Sequence, residues 1–151
     1  MQAKNLLRRA LTSRCRGRGA YALAAVRATG GALFIAFSIS KFSDHNHEAH
    51  DFGRYGIPIP NVAVPAVGSL ELIGGTLLVL GLLTRPAALV LAANLIGAIL
   101  TAGRVEGGSF NLGVAPAMLA VMLIIVWAGP GAPACDALLL QRLERRHILS
   151  P

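Results

Sequence analysis

Four apolar stretches, each near the length that crosses a bilayer, constrain this chain more than any other feature. A transmembrane helix needs about 20 mostly apolar residues to span roughly 30 Å of hydrocarbon. Residues 21–42, 62–83, 86–103 and 112–128 meet that requirement. The third stretch carries no charge between Arg85 and Arg104, and the fourth lies in an uncharged run between Glu106 and Asp136. Hydrophobic residues make up 54% of the 151 positions and charged residues only 14%, too few polar groups to cover the surface of a water-soluble fold. Disorder, a disulfide scaffold and most soluble enzyme folds are thereby excluded. The alternation expected of a membrane β-barrel is absent. The pattern predicts an all-α, polytopic membrane protein built as a four-helix bundle. A basic tail covers residues 1–19, the membrane domain 20–130, and a second tail 131–151.

The net charge of +7 gains meaning from its placement. Lys4, Arg8, Arg9, Arg14, Arg16 and Arg18 precede the first span with no acid among them. Arg85 lies between spans 2 and 3, and Arg142, Arg145, Arg146 and His147 follow the last span. In a four-span chain these segments share one side. The other side mixes Lys41, Arg54 and Arg104 with Asp44, Glu48, Asp51 and Glu106. The bias of Lys and Arg toward the cytoplasm therefore places both termini there, in a bacterial inner membrane. No aromatic residues interleave with the basic runs, which argues against nucleic acid. An Arg-rich, acid-free leader also has the composition of an organellar transit peptide; the preferred reading is a cytoplasmic tail. Between spans 2 and 3, Thr84-Arg85-Pro86 predicts a tight turn with Thr84 as helix N-cap.

Ionisable groups within spans are costly and usually have a task. Arg27 and Glu71 are the two here. Their depths differ by about 9 Å at 1.5 Å per residue, within reach of two long side chains. Arg27-Gly30-Gly31, Glu71-Gly74-Gly75 and Asn94-Gly97-Ala98 repeat one pattern, a polar residue with two small residues on the same helix face. Such faces let membrane helices approach closely. The expectation is a cluster of Arg27, Glu71 and Asn94, with Arg27 and Glu71 as an ion pair. It is either a structural pair that fixes the register of the bundle, or the polar lining of a route for a ligand, a quinone or a proton.

Residues 43–61 read as the one sizeable loop, on the outer face. Lys41 and Arg54 could meet lipid phosphate there. His45, His47 and His50 stand among Asp44, Glu48 and Asp51, ligand types that suit transition metals but match no defined motif. The favoured reading is a solvated loop with no physiological metal, the three histidines being weak candidates. Cys15 and Cys135 form no C-x-x-C pair, so disulfide-exchange chemistry lacks its thiols. No phosphate-binding or dinucleotide-binding glycine motif is present. The spans hold no histidine for haem.

The order of landmarks resembles a known family. Arg27-Ala-Thr-Gly30-Gly31 is followed by Ser40-Lys41-Phe42, then Tyr55-Gly56-Ile57-Pro58-Ile59-Pro60, then Gly68-Ser-Leu-Glu71-Leu-Ile-Gly74-Gly75 and Gly81-Leu-Leu-Thr84-Arg85. Over residues 24–128 this is similar to the DoxX family of small four-helix bacterial membrane proteins. The resemblance implies kinship with the quinone-reducing subunit of a thiosulfate:quinone oxidoreductase. It also implies, for some members, association with a superoxide dismutase and a sulfurtransferase. The family has no agreed catalytic residues, so only Arg27, Lys41, Glu71 and Arg85 carry over, as positions. The function expected is a redox-associated membrane subunit, linked to quinone or anchoring soluble partners. A non-catalytic scaffold or assembly factor is the alternative, and a small-solute transporter ranks third.

Overall fold

In the computed structural model, residues 17–107 and 110–137 are described, with Ser13 and Arg142 besides. Among the described residues the regular structure is all helical. Helix α1 runs Arg18–Ser43, α2 His45–Arg54, α3 Pro60–Leu80 and α4 Thr84–Leu100. A short α5, Ala102–Glu106, extends α4. A π-helical turn, Phe110–Val114, leads into α6, Ala115–Ala128. Three helices, Arg18–Ser43, Pro60–Leu80 and Thr84–Glu106, are long and apolar enough to cross a membrane, and Leu112–Ala128 is a shorter apolar helix. The expected all-α membrane bundle is what the chain forms.

Tyr21, Ile39, Ile73, Leu89 and Trp127 are each more than half exposed. In a soluble protein such a surface would aggregate; in a bilayer it faces lipid. The interior draws on every long helix of the bundle. Phe34, Leu78, Leu91, Met122 and Ile125, one or two from each long helix, are all at most 1% exposed.

Glycines set the closest contact. A Cβ on Gly31 would come within 2.6 Å of the Gly75 carbonyl oxygen, and one on Gly75 within 2.7 Å of the Gly31 oxygen. The α1 and α3 backbones therefore touch, as small residues on facing membrane helices permit. This contact fixes their antiparallel register. It puts Arg27 level with Val79, about 12 Å and two turns from Glu71 along α3. The register is about 3 Å, or half a turn, away from that assumed in pairing Arg27 with Glu71.

At the N-terminal end of the bundle, α3 closes in the manner of a Schellman motif. Gly81 is left-handed (φ 66°), and Gly81 N donates to Leu78 O (3.1 Å) while Leu82 N donates to Leu77 O (3.0 Å). Thr84 does not cap α4. Leu83 holds the cap position, at a positive φ of 49°, and its N–H is held by Asp136 Oδ1 at 2.6 Å. Asp136 Oδ2 accepts from Thr84 N at 3.0 Å. Asp136 is fully buried, and its own N–H donates to Gly81 O at 2.8 Å. A carboxylate on the helix's exposed N–H groups satisfies donors that have no partner within the helix.

Residues 129–137 thus fold back on the bundle instead of leaving it. Ala132 N also donates to Ala20 O at 3.1 Å. The start of α1 and the segment after α6 therefore share one end of the molecule.

Candidate functional site

Arg27 is only 3% exposed and points into the turn between α3 and α4. Its guanidinium donates to Leu78 O, to Val79 O at 3.3 Å and to Pro133 O at 2.8 Å. The last carbonyls of a helix lack intrahelical donors and carry the negative end of its dipole, so a cation there is well placed. Arg85 does the same for α6, donating to Trp127 O at 3.4 Å. The expected Arg27–Glu71 ion pair is not made. Arg27 belongs to the clasp that joins α1, the α3–α4 turn and the segment carrying Asp136.

Glu71 finds a different cation. Lys41 Nζ, from the last turn of α1, lies 3.0 Å from Glu71 Oε2, with the two side chains 13% and 9% exposed. Asn94 Nδ2 of α4 donates to Glu71 Oε1 at 2.9 Å. Three spans thereby meet at one carboxylate. Lys41 was expected at the lipid phosphates, but its four-carbon stem turns back into the bundle. A buried carboxylate without a cation would be far costlier than an exposed ammonium that gives up its water.

This trio lies on the wall of a cavity of about 680 Å³ in the half of the bundle beside α2. Phe34 and Phe37 of α1, Ala93 and Gly97 of α4, and Met118 of α6 are among its apolar lining. The repeat at Asn94-Gly97-Ala98, read as a helix-contact face, lines this space instead: nothing among the described residues lies within 4 Å of a Cβ built on Gly97.

Over the cavity sits α2, where sequence reasoning expected a loop. Phe52 is its one buried residue. Ser40 Oγ donates to Glu48 Oε1 at 3.0 Å, and the Tyr55 hydroxyl donates to Glu106. Burial, and then the Glu106 carboxylate, push the Tyr55 phenol well above its ordinary range. Arg54 Nη1 lies 3.4 Å from Asp51 Oδ1 and 3.9 Å from Glu106 Oε1, and so pins α2 to α5.

The histidines stand on the outer side of α2. His47 and His50 both neighbour Asp51, at 3.4 and 3.6 Å, with side chains 70% and 73% exposed. Among the described residues no three His, Cys, Asp or Glu side chains are gathered to hold a metal ion. Cys135 is a free, exposed thiol, and Cys15 lies outside the described residues.

Sequence reasoning missed Asp136, and it missed Lys41 as the partner of Glu71. The one signal for Asp136 was its isolation, an acid at the end of a long uncharged run. For Lys41 the signal was its position at the end of span 1, within a side chain's length of the membrane interior.

The fold and the buried trio define a small helical membrane protein with an internal polar site. The chain belongs to the DoxX family, which matches residues 22–104. An uncharacterized membrane protein of Mycobacterium tuberculosis is 34% identical to it over 135 residues, 80% of each chain. A Bacillus subtilis protein named "Putative oxidoreductase CatD" is 36% identical over 76 residues, 50% of this chain and 55% of the relative. No solved structure matches.

Proposed function

We propose that this protein is a quinone-linked subunit of a membrane redox system, holding the quinone head in the cavity beside Lys41, Glu71 and Asn94. The observation that carries the reading is the cavity of about 680 Å³ with a charge-compensated polar trio on an otherwise largely apolar wall. Its size is that of a small-ligand site, which combines apolar lining with a few convergent polar groups. Lys41 and Asn94 offer N–H donors to quinone carbonyl oxygens. Glu71 offers an acceptor to the hydroxyls of the reduced form. Because the trio is neutral overall, a neutral head adds no uncompensated charge in low dielectric. The oxidoreductase name of the Bacillus relative agrees with a redox role.

The partners proposed are the bilayer and soluble redox enzymes of the superoxide dismutase or sulfurtransferase kind, at a bacterial inner membrane with both termini cytoplasmic. The test is purification in mild detergent, with mass spectrometry of extracted quinone and of copurifying proteins. Near-stoichiometric quinone, lost in Glu71→Gln, is the expected result. Partners recovered without quinone would replace this reading with that of a scaffold, for which α2 provides exposed surface.

A further inference from the structure

We propose that the cavity opens sideways into the bilayer between the outer halves of α3 and α4. Gly97 forms the sill of this portal, and its occupant is the hydrocarbon chain of an amphiphile whose neutral head meets Lys41, Glu71 and Asn94. The proposal rests on the ligand reading above and adds where the ligand comes from and which residue admits it.

The argument begins with the lipid-facing side of α4. Leu89, Ala93, Ile96, Gly97 and Leu100 fall on one side of the helix at 3.6 residues per turn. Leu89, Ile96 and Leu100 are 57%, 45% and 51% exposed, and Ala93 and Gly97 are exposed as well. Yet Ala93 and Gly97 also line the cavity, together with Val67 and Glu71 of α3. Two residues can belong both to the lipid-facing side and to the cavity wall only where the cavity reaches that side.

Gly97 also differs from the close-packed glycines of the bundle. A Cβ on Gly31, Gly74 or Gly75 would meet a neighbouring helix at 2.6 to 3.0 Å, so packing explains why those positions lack one. At Gly97 nothing among the described residues lies within 4 Å of a built Cβ. Glycine disfavours a helix relative to alanine, and among the described residues no contact requires it here. What its missing side chain preserves is an opening.

The chemistry of the rim selects the occupant. Val67, Ala93, Gly97 and Ala98 offer a passing chain only apolar or small surface. Behind them stands Glu71, 7% exposed, with Lys41 and Asn94 to receive a polar head. The mouth beneath α2 is different, since Glu48, Tyr55 and Glu106 line it. A hydrocarbon chain avoids that mouth, whereas a small water-soluble head can pass through it.

The experiment uses full-length protein in lipid nanodiscs and two probes with the same benzoquinone head, one bearing a decyl chain and one a methyl group. Gly97→Phe should weaken decyl-quinone binding at least tenfold, leave the methyl analogue within about twofold and leave the thermal midpoint unlowered. Gly97→Ala should fall between. Equal retention of both probes by Gly97→Phe overturns the portal.

A second measurement is independent of quinone. In a Trp127→Phe background, Phe37→Trp places an indole in the cavity wall, and phospholipid brominated on its acyl chains should quench it less once Gly97→Phe is added. If neither probe binds wild type but this quenching difference persists, the portal stands with a phospholipid chain as occupant, and the quinone reading falls. If the quenching is unaffected by Gly97→Phe, the portal is refuted whatever the probes do.

Discussion

Glu71→Gln removes one charge of a pair whose side chains are 13% and 9% exposed and whose N···O distance is 3.0 Å. Deleting one partner of a buried pair leaves the other charge uncompensated, at a cost of about 3–5 kcal/mol. Lys41 lies at the end of α1 and faces a cavity that can admit water, so the lower figure, roughly 3 kcal/mol, applies. Lys41→Met should cost a similar amount. The double change leaves no orphan charge, and its loss should fall short of the sum by about 1–3 kcal/mol. Arg27 provides the control. It serves a separate set of carbonyls, two turns away in register, so Arg27→Met combined with Glu71→Gln should be additive to within about 0.5 kcal/mol. Asn94→Ala removes one hydrogen bond between membrane helices, worth about 1 kcal/mol. The assay is reversible unfolding in mild detergent for the wild type, the singles and both doubles, beside quinone binding. Recovered stability without recovered binding in the Lys41/Glu71 double would separate the ligand role of the trio from its structural one. Additivity for Lys41 and Glu71, or coupling of 1 kcal/mol or more between Arg27 and Glu71, would refute the assignment.

Two further outcomes are expected. Asp136→Ala should cost about 2–4 kcal/mol, since it removes two charge-assisted bonds to backbone N–H groups, one of which holds Leu83 at positive φ; Asp136→Asn keeps one acceptor oxygen and should cost about half as much. A loss below about 0.5 kcal/mol for the alanine variant, in the same unfolding assay, would show that the clasp does not stabilise α4. The raised ionisation of Tyr55 has a definite sign. The unfolded state releases the phenolic proton near pH 10 while the folded state keeps it, so the contribution of Tyr55 to stability is constant below about pH 10 and declines above, by up to about 1.4 kcal/mol per pH unit. Absorbance titration of a Tyr21→Phe variant, with and without Glu106→Gln, checks this; a Tyr55 that ionises like free tyrosine would contradict its burial against Glu106.

Much of the architecture was legible from residue type and spacing alone. The apolar runs define the long helices because the bilayer core admits no unpaired backbone, and a helix is the segment that satisfies its own. Gly31, Gly74 and Gly75 follow polar residues at helical spacing, and they make close contacts with neighbouring helices. Glu71 and Asn94 share a helical pattern that marks them as inward-facing, and they meet at 2.9 Å.

Choice of partner was not legible. Sequence gives each helix its face but leaves axial register open, and about half a turn of slip exchanges Arg27 for Lys41 as the cation beside Glu71. Only the backbone contact between Gly31 and Gly75 decides it. Asn94-Gly97-Ala98 has the same spacing as the close-packed faces, yet it borders a cavity, because whether a small residue admits a helix or leaves a space depends on what stands opposite. Asp136 illustrates the same limit at longer range. Its carboxylate acts on Leu83 and Thr84, more than fifty positions earlier in the chain, and no local pattern records that contact. Hydrophobic length and helical period are properties of a segment and can be read from it. The ion pair, the clasp and the cavity arise from the packing of several segments, and only the folded bundle specifies them.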